Sequence, residues 1–340
     1  MLLASAAPAS AVSLLFSEAT GFRATADAPA GYAPSVQGLP LSDGTFQPAL
    51  AGDGGLEFKG HITLSPPPGG PLPGGMPAPP DIYSQVLWGC QPSSTGVRPY
   101  TNCANGGVIG VSLSDPAGTP FLPGPIPDRS GLQLTGFSGT LTDAGWTTIS
   151  EILHQNSAIS GNILQTVRID SAFYLGKVPE GTPPISDLSL IPVGFTETRN
   201  GTCGHTPGVA GAPLNPLGSA CDDFFTLQKS ALNPVTISDP ALLAALGLTQ
   251  ETTIKFRLLV PSDANPGCGA GDVLATDTVC VFDADPTTLV VYSKEGTTNA
   301  LQVQAILVEV PEPTTILLFG TTAMGMLAEA VRRRRQSRTE

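Results

Sequence analysis

Val167-Arg168-Ile169-Asp170-Ser171-Ala172-Phe173-Tyr174-Leu175 sets Val167, Ile169, Phe173 and Leu175 against Arg168, Asp170 and Tyr174. An apolar side chain at every second position is the period of an extended strand with one face toward a core and the other toward water. The same period runs through 253–260, where Ile254, Phe256, Leu258 and Val260 alternate with Thr253, Lys255 and Arg257. Further strand-like runs cover 55–64, 83–88, 108–113, 132–141, 224–228, 279–284, 289–292 and 301–310, and turn residues separate nearly all of them. The pattern predicts an all-β fold, an antiparallel β-sandwich of jelly-roll-like form built from half-buried strands. Helix signals are confined to two places. Residues 147–154 would make two turns, and 240–246 opens with Asp239 as N-cap and Pro240 at the first helical position.

Composition agrees with a turn-rich, helix-poor chain. Only 13% of residues are charged, while Gly numbers 39 and Pro 34. The 41% apolar content still allows a sizeable core. Between 65 and 80 the sequence is Pro- and Gly-rich and reads as an extended loop or linker. Net charge is −12. The segment after Pro311 is net positive, so the remainder is more acidic still, and a phosphate polymer would be repelled; nucleic acid is excluded as a partner.

Both ends carry targeting features. Met1 to Ala11 are small and apolar and finish in Ala9-Ser10-Ala11, the kind of pattern signal peptidase cuts after, although no Lys or Arg precedes Arg23. Residues 1–11 are read as the remnant of a truncated signal peptide, with an ordinary first strand through 12–16 as the competing reading. At the other end, Pro311-Glu312-Pro313 leads into an apolar run over 314–331 and then Arg332, Arg333, Arg334 and Arg335. As a helix that run would span roughly 27 Å at about 1.5 Å per residue, close to the roughly 30 Å of a bilayer's hydrocarbon core. The arginines would hold its end on the cytoplasmic side, so that 12–309 is an exported β-rich domain and 310–340 its membrane-anchoring tail.

The order Pro-Glu-Pro, apolar helix, Arg cluster resembles the PEP-CTERM sorting signal of Gram-negative bacteria. The resemblance covers the tail alone. It implies processing by an exosortase near the motif, an inner-membrane-anchored precursor, and delivery to the cell surface or to an extracellular matrix rich in exopolysaccharide, as in biofilms.

The six cysteines form three sequence-local pairs, Cys90 with Cys103, Cys203 with Cys221 and Cys268 with Cys280. An even count in an exported chain reads as disulfides, and nearest-neighbour pairing closes only short loops. Each bridge would contribute about 3 kcal/mol by restricting the unfolded chain. Zinc is the alternative, but no C-x-x-C is present and His61, His154 and His205 lack ligand spacing, apart from Cys203 and His205.

Trp146 leads through Thr147-Thr148-Ile149-Ser150-Glu151-Ile152 to Leu153-His154-Gln155-Asn156, with Trp88-Gly89 upstream. This arrangement is similar to the THxN family of PEP-CTERM proteins, with Leu153 standing where that family has Thr. The likeness identifies kin and implies no reaction. For His154 and Asn156 two readings stand: a pair that binds a sugar hydroxyl or a metal, or a turn in which His154 caps and Asn156 takes a left-handed conformation, with structure favoured. Trp88 and Trp146 are read as core residues, against a sugar-stacking role.

Enzyme motifs are absent, and no cofactor is expected. Two acidic pairs remain, Asp222-Asp223 and Asp283-x-Asp285. Neighbours on a strand point to opposite faces, which argues against a glycosidase pair at 222–223. Asp283 and Asp285 are weak calcium candidates. The expectation is a non-enzymatic exported protein, with a secreted polysaccharide hydrolase or a calcium-dependent carbohydrate-binding protein as the alternative.

Overall fold

The computed structural model describes residues 12–24, 33–38, 45–50, 53–62, 82–90, 109–111, 129–177, 185–196, 206–219, 221–259, 274–275, 278–283 and 285–309, with the single positions 41, 103, 198 and 268. The signal remnant at 1–11, the linker at 65–80, Cys203 and the whole tail from 310 lie outside them. No helix among the described residues is long and apolar enough to cross a membrane.

In chain order the strands are β1 (Ser13–Arg23), β2 (Ser35–Gln37), β3 (Leu56–Ile62), β4 (Ile82–Trp88), β5 (Ile109–Val111), β6 (Ser130–Gly136), β7 (Ser138–Thr142), β8 (Thr147–Gln155), β9 (Ile163–Lys177), β10 (Ile185–Thr196), β11 (Asp223–Gln228), β12 (Val235–Ile237), β13 (Thr252–Leu259), β14 (Leu274–Ala275), β15 (Val279–Phe282), β16 (Thr288–Ser293) and β17 (Thr298–Glu309). They pair into one curled sheet, antiparallel except where β3 meets β5. One arm runs from β1 through β9, β10, β11, β16 and β15 to β14. On its other edge β1 pairs with β7 and, at its C-terminal end, with β4. From β4 the second arm runs through β6, β8, β17 and β13 to β12. The curl brings the inner faces of the arms together around one large apolar cluster and a second one toward β12.

The helix expected over 240–246 forms as α1 (Pro240–Leu246). Asp239 accepts hydrogen bonds from the backbone of Ala241 and Leu242, and Gly247 ends the helix in a left-handed conformation at φ 71°. The helix expected over 147–154 does not form, because that segment is β8. Opposite it on β17, Val303 faces Ser150 and the next residue, Gln304, faces Thr148, so Ile149 is an extra residue in the ladder. This β-bulge shifts the strand's phase and buries Ile149, Ser150, Ile152 and His154 together. The resulting three-residue spacing of Ile149 and Ile152 is what imitates a helix.

The deciding stretch at 167–175 is a strand, as its period says, but it is not half-buried. Arg168 is 2% exposed and Asp170 0%. Strand β9 lies in the middle of the sheet, between β1 and β10, and its outer face is covered in turn by Ile82 and Ile62 packed with Ala172 and Tyr174. Gly21 makes that cover possible, because a Cβ there would come within 2.9 Å of the Tyr83 carbonyl where β4 crosses. The two buried charges answer each other along the strand: Arg168 Nε lies 2.6 Å from Asp170 Oδ1, and Arg168 Nη2 donates to Asp170 Oδ2 at 3.1 Å. Arg23 Nη1 adds a longer contact to Asp170 at 3.4 Å.

A buried ion pair is strongly destabilised when one member is lost, since the survivor keeps its desolvation cost. Asp170→Ala should therefore lower unfolding free energy by about 3–5 kcal/mol, whereas replacing both partners (Arg168→Met with Asp170→Leu) should cost far less. Denaturant unfolding of the disulfide-intact chain measures both. Equal losses for the single and double variants would show that the pair is not an energetic unit.

Candidate functional site

The residues singled out by the Trp-Gly and His-x-Asn motifs do come together, but inside the protein. Trp88 is fully buried at the end of β4, and His154 stacks on it with ring centroids 6.1 Å apart and planes 18° apart. Phe195 from β10 meets both in T-shaped contacts at 4.8 and 5.2 Å. His154 Nδ1 and the Ser293 hydroxyl lie 2.8 Å apart, and the amide of Asn299 donates to the same hydroxyl. The other ring nitrogen, Nε2, is buried and meets no hydrogen-bond partner. Burial alone holds the His154 pKa down at about 3. Asn156 donates to the Ser293 carbonyl at 3.2 Å. His154 thus caps no turn; it and Asn156 tie β8 to the turn between β16 and β17.

Gly89 supplies the backbone freedom this arrangement needs. It sits at φ 80°, and a Cβ would lie 2.4 Å from Ile159. Beyond it Cys90 forms a two-way backbone bridge with Ser160 at 2.7 and 2.8 Å. Cys90 is joined to Cys103 and Cys268 to Cys280. Cys221 is likewise disulfide-bonded, and Cys203, its expected partner, lies outside the described residues.

Trp146 departs from the core reading. It is half-buried on the outer face of the sheet, with the Arg257 guanidinium 4.4 Å above its ring. Arg257 also donates twice to Gln304, at 2.9 and 2.7 Å, and a ladder of polar side chains continues through Thr148, Gln302 and Glu151.

The acidic pairs serve the backbone. Asp222 accepts hydrogen bonds from Leu217 N and from the Ser219 hydroxyl, which folds the 215–222 loop back on itself. Asp223 accepts from the backbone and hydroxyl of Thr198 at 2.6 and 2.9 Å. Asp283 is ion-paired with Lys229. Asp285 accepts from the backbone of Thr287 and Thr288 and the Thr287 hydroxyl, and the Thr287 backbone hydrogen bond first of all holds its pKa below the usual range. Among the described residues no three His, Cys, Asp or Glu side chains gather as a metal site would need.

The arrangement with chemical potential lies elsewhere, at Glu18, which the sequence reading did not single out. On the inward face of β1, between Phe16 and Thr20, a carboxyl takes a position the strand's period reserves for apolar residues. That break in the pattern was the available signal. Glu18 is 9% exposed and borders a cavity of about 250 Å³ where the two apolar clusters meet. The irregularities of the sheet converge on this level. Phe137, between β6 and β7, accepts from Glu18 N at 2.9 Å and donates its own N–H to the bulge residue Ile149 at 2.8 Å. Gly136 is also required here, since a Cβ would fall 2.1 Å from the Glu18 carbonyl.

Burial pushes the Glu18 pKa up from its ordinary 4.5 to about 7, against the opposing pull of hydroxyl contacts from Ser171, at 2.7 Å, and Ser150. No protein-family model matches the chain, and no curated protein matches it.

Two buried groups then give opposite pH dependences. Glu18 holds its proton more tightly folded than unfolded, so its penalty is absent below about 4.5 and grows as pH rises to about 7, reaching about 3 kcal/mol. His154 resists protonation when folded, so stability is lost as pH falls from 6.5 toward about 3. Between 4.5 and 6.5 the two slopes oppose one another. Glu18→Gln should expose the histidine slope alone, gaining about 3 kcal/mol over the parent chain between pH 4.5 and 7.5. Denaturant unfolding across that range reads it, and a difference independent of pH would refute the assignment to Glu18.

Proposed function

We propose that this is a non-enzymatic exported protein, sorted by its Pro311-Glu312-Pro313 tail, anchored through 314–331 and Arg332–Arg335, processed by an exosortase, and placed at the cell surface or in an exopolysaccharide matrix. The curled sheet is read as a jelly-roll-like sandwich stapled by three local disulfides.

The observation that supports export most directly is the state of the cysteines. Cys90, Cys221, Cys268 and Cys280 are each at most 1% exposed and every described cysteine is disulfide-bonded. Buried bridges of this kind are characteristic of chains that fold in an oxidising compartment. The non-enzymatic reading draws on the acidic pairs, since Asp222 and Asp223 accept from different loops and Asp283 is neutralised by Lys229. Association with exopolysaccharide draws on the resemblance of the tail to a sorting signal of matrix-delivered proteins.

Intact mass and localisation in the native host, with and without the exosortase gene, test this. The mature species should begin near Val12, end between Pro311 and Thr315, weigh two hydrogens less than the reduced chain for each cysteine pair, and reach the surface only when the exosortase is present. A tail and free thiols that persist in both strains would remove the sorting and matrix assignments together.

A further inference from the structure

The Glu18 cavity has the construction of a binding site. Its walls are mostly apolar, with Ile149, Ile169, Ile191, Phe256 and Val303 among them, and the Glu18 carboxyl borders it together with the hydroxyls of Ser150 and Ser171 that contact it. No other titratable side chain lines it among the described residues. Its mouth lies beneath the 3₁₀ turn Lys229–Leu232 and the residues leading into β12, where Ser230, Asn233, Pro234 and Val235 border the cavity and are exposed. At about 250 Å³ it exceeds the roughly 150 Å³ that holds a benzene ring and falls below the roughly 300 Å³ at which drug-sized pockets begin.

Glu18 is unfinished as it stands. Ser171 donates to Oε1, but Oε2 is buried without a hydrogen-bond partner. Ionised, the carboxylate has no counter-charge bordering the cavity. Protonated, its O–H finds only the hydroxyls of Ser150 and Ser171 as acceptors. Either form carries the cost of an incompletely paired polar group in an apolar setting. The bulge at Ile149 and the break at Phe137 shape the sheet at this same level, and such irregularities cluster beside functional sites.

We infer that this cavity binds a small apolar amine, its hydrocarbon body among the isoleucines and its ammonium group on Glu18 Oε2. An ammonium supplies both missing elements at once, a charge and a donor, in a charge-assisted hydrogen bond. A ligand carboxylate brings no positive charge to the cavity and would meet Glu18 as a like charge once that acid ionises. Binding ionises Glu18, so the proton it carried leaves to solvent while the amine keeps its own.

The test is calorimetric titration of the full-length oxidised chain with 2-phenylethylamine, with 2-phenylethanol and 3-phenylpropanoate as neutral and anionic counterparts. Running it at pH 6 in two buffers of different ionisation enthalpy counts protons. Because Glu18 titrates near 7, close to one proton should be released per amine bound. Glu18→Gln should weaken the amine about tenfold or more and abolish that release, and Val303→Phe should abolish binding by filling the cavity. Carbon-13 observation of the Glu18 carboxyl in the parent chain needs no variant; its midpoint near 7 should fall by more than about 2 units when the amine is present. Absence of amine binding, equal affinity for the alcohol or the carboxylate, binding without proton release, or a carboxyl midpoint unmoved by the amine would each overturn the inference.

Discussion

The ladder between β1 and β9 is the constraint on which the rest depends. It pairs nine consecutive residues, from Leu14 opposite Lys177 to Phe22 opposite Ile169, and toward the Gly21–Phe22 end both faces of the sheet are covered. Where both faces are covered, a strand has nowhere to place polar side chains in water. Every such residue must find its partner inside, and the architecture around the ladder is organised by those partners. Arg168 and Asp170 solve the problem on the outer face by pairing along one strand. Glu18 has only half a solution on the inner face, in Ser171 and Ser150.

The same rule explains why the loops are held. Asp222, Asp223 and Asn156 each spend a side chain on backbone groups of a neighbouring turn, replacing water that burial has removed. At the junction of β8 with Ser293 and Asn299 the rule is met at His154 Nδ1 and not at Nε2, and burial holds that histidine neutral among packed rings. Where it is not met at Glu18, an apolar cavity lies alongside. A buried acid and a buried histidine that titrate in opposite directions also level the chain's stability across mildly acidic pH, so the strain at Glu18 is masked in the intact protein.

Much of the fold was legible in the residues. Alternation located β9 and β13, and the Asp239-Pro240 pair located α1 to the residue, because a capping side chain and a fixed φ act locally. The errors have local causes as well. A bulge at Ile149 gave β8 a helical spacing. Pro192 hid β10, whose 185–192 stretch tolerates a residue without an N–H because it pairs only with β9 among the described residues. Trp146 was assigned to the core on its chemistry, whereas its strand end faces outward under Arg257. Of the candidate site nothing was legible except one carboxyl out of phase in β1.

By itself the sequence determined the period of the strands, the acidic balance, the short-range pairs Cys90–Cys103 and Cys268–Cys280, and the tail that resembles a sorting signal. These properties depend on residues a few positions apart. Only the tertiary structure decided which strands lie in the middle of the sheet, and therefore that Arg168 and Asp170 face each other in the dark while Trp146 faces out. It also decided that Glu18, Ser150 and Ser171 share one cavity. Ser150 and Ser171 lie more than a hundred residues along the chain from Glu18, and burial and pKa belong to the neighbours a fold assembles rather than to the residue that carries them.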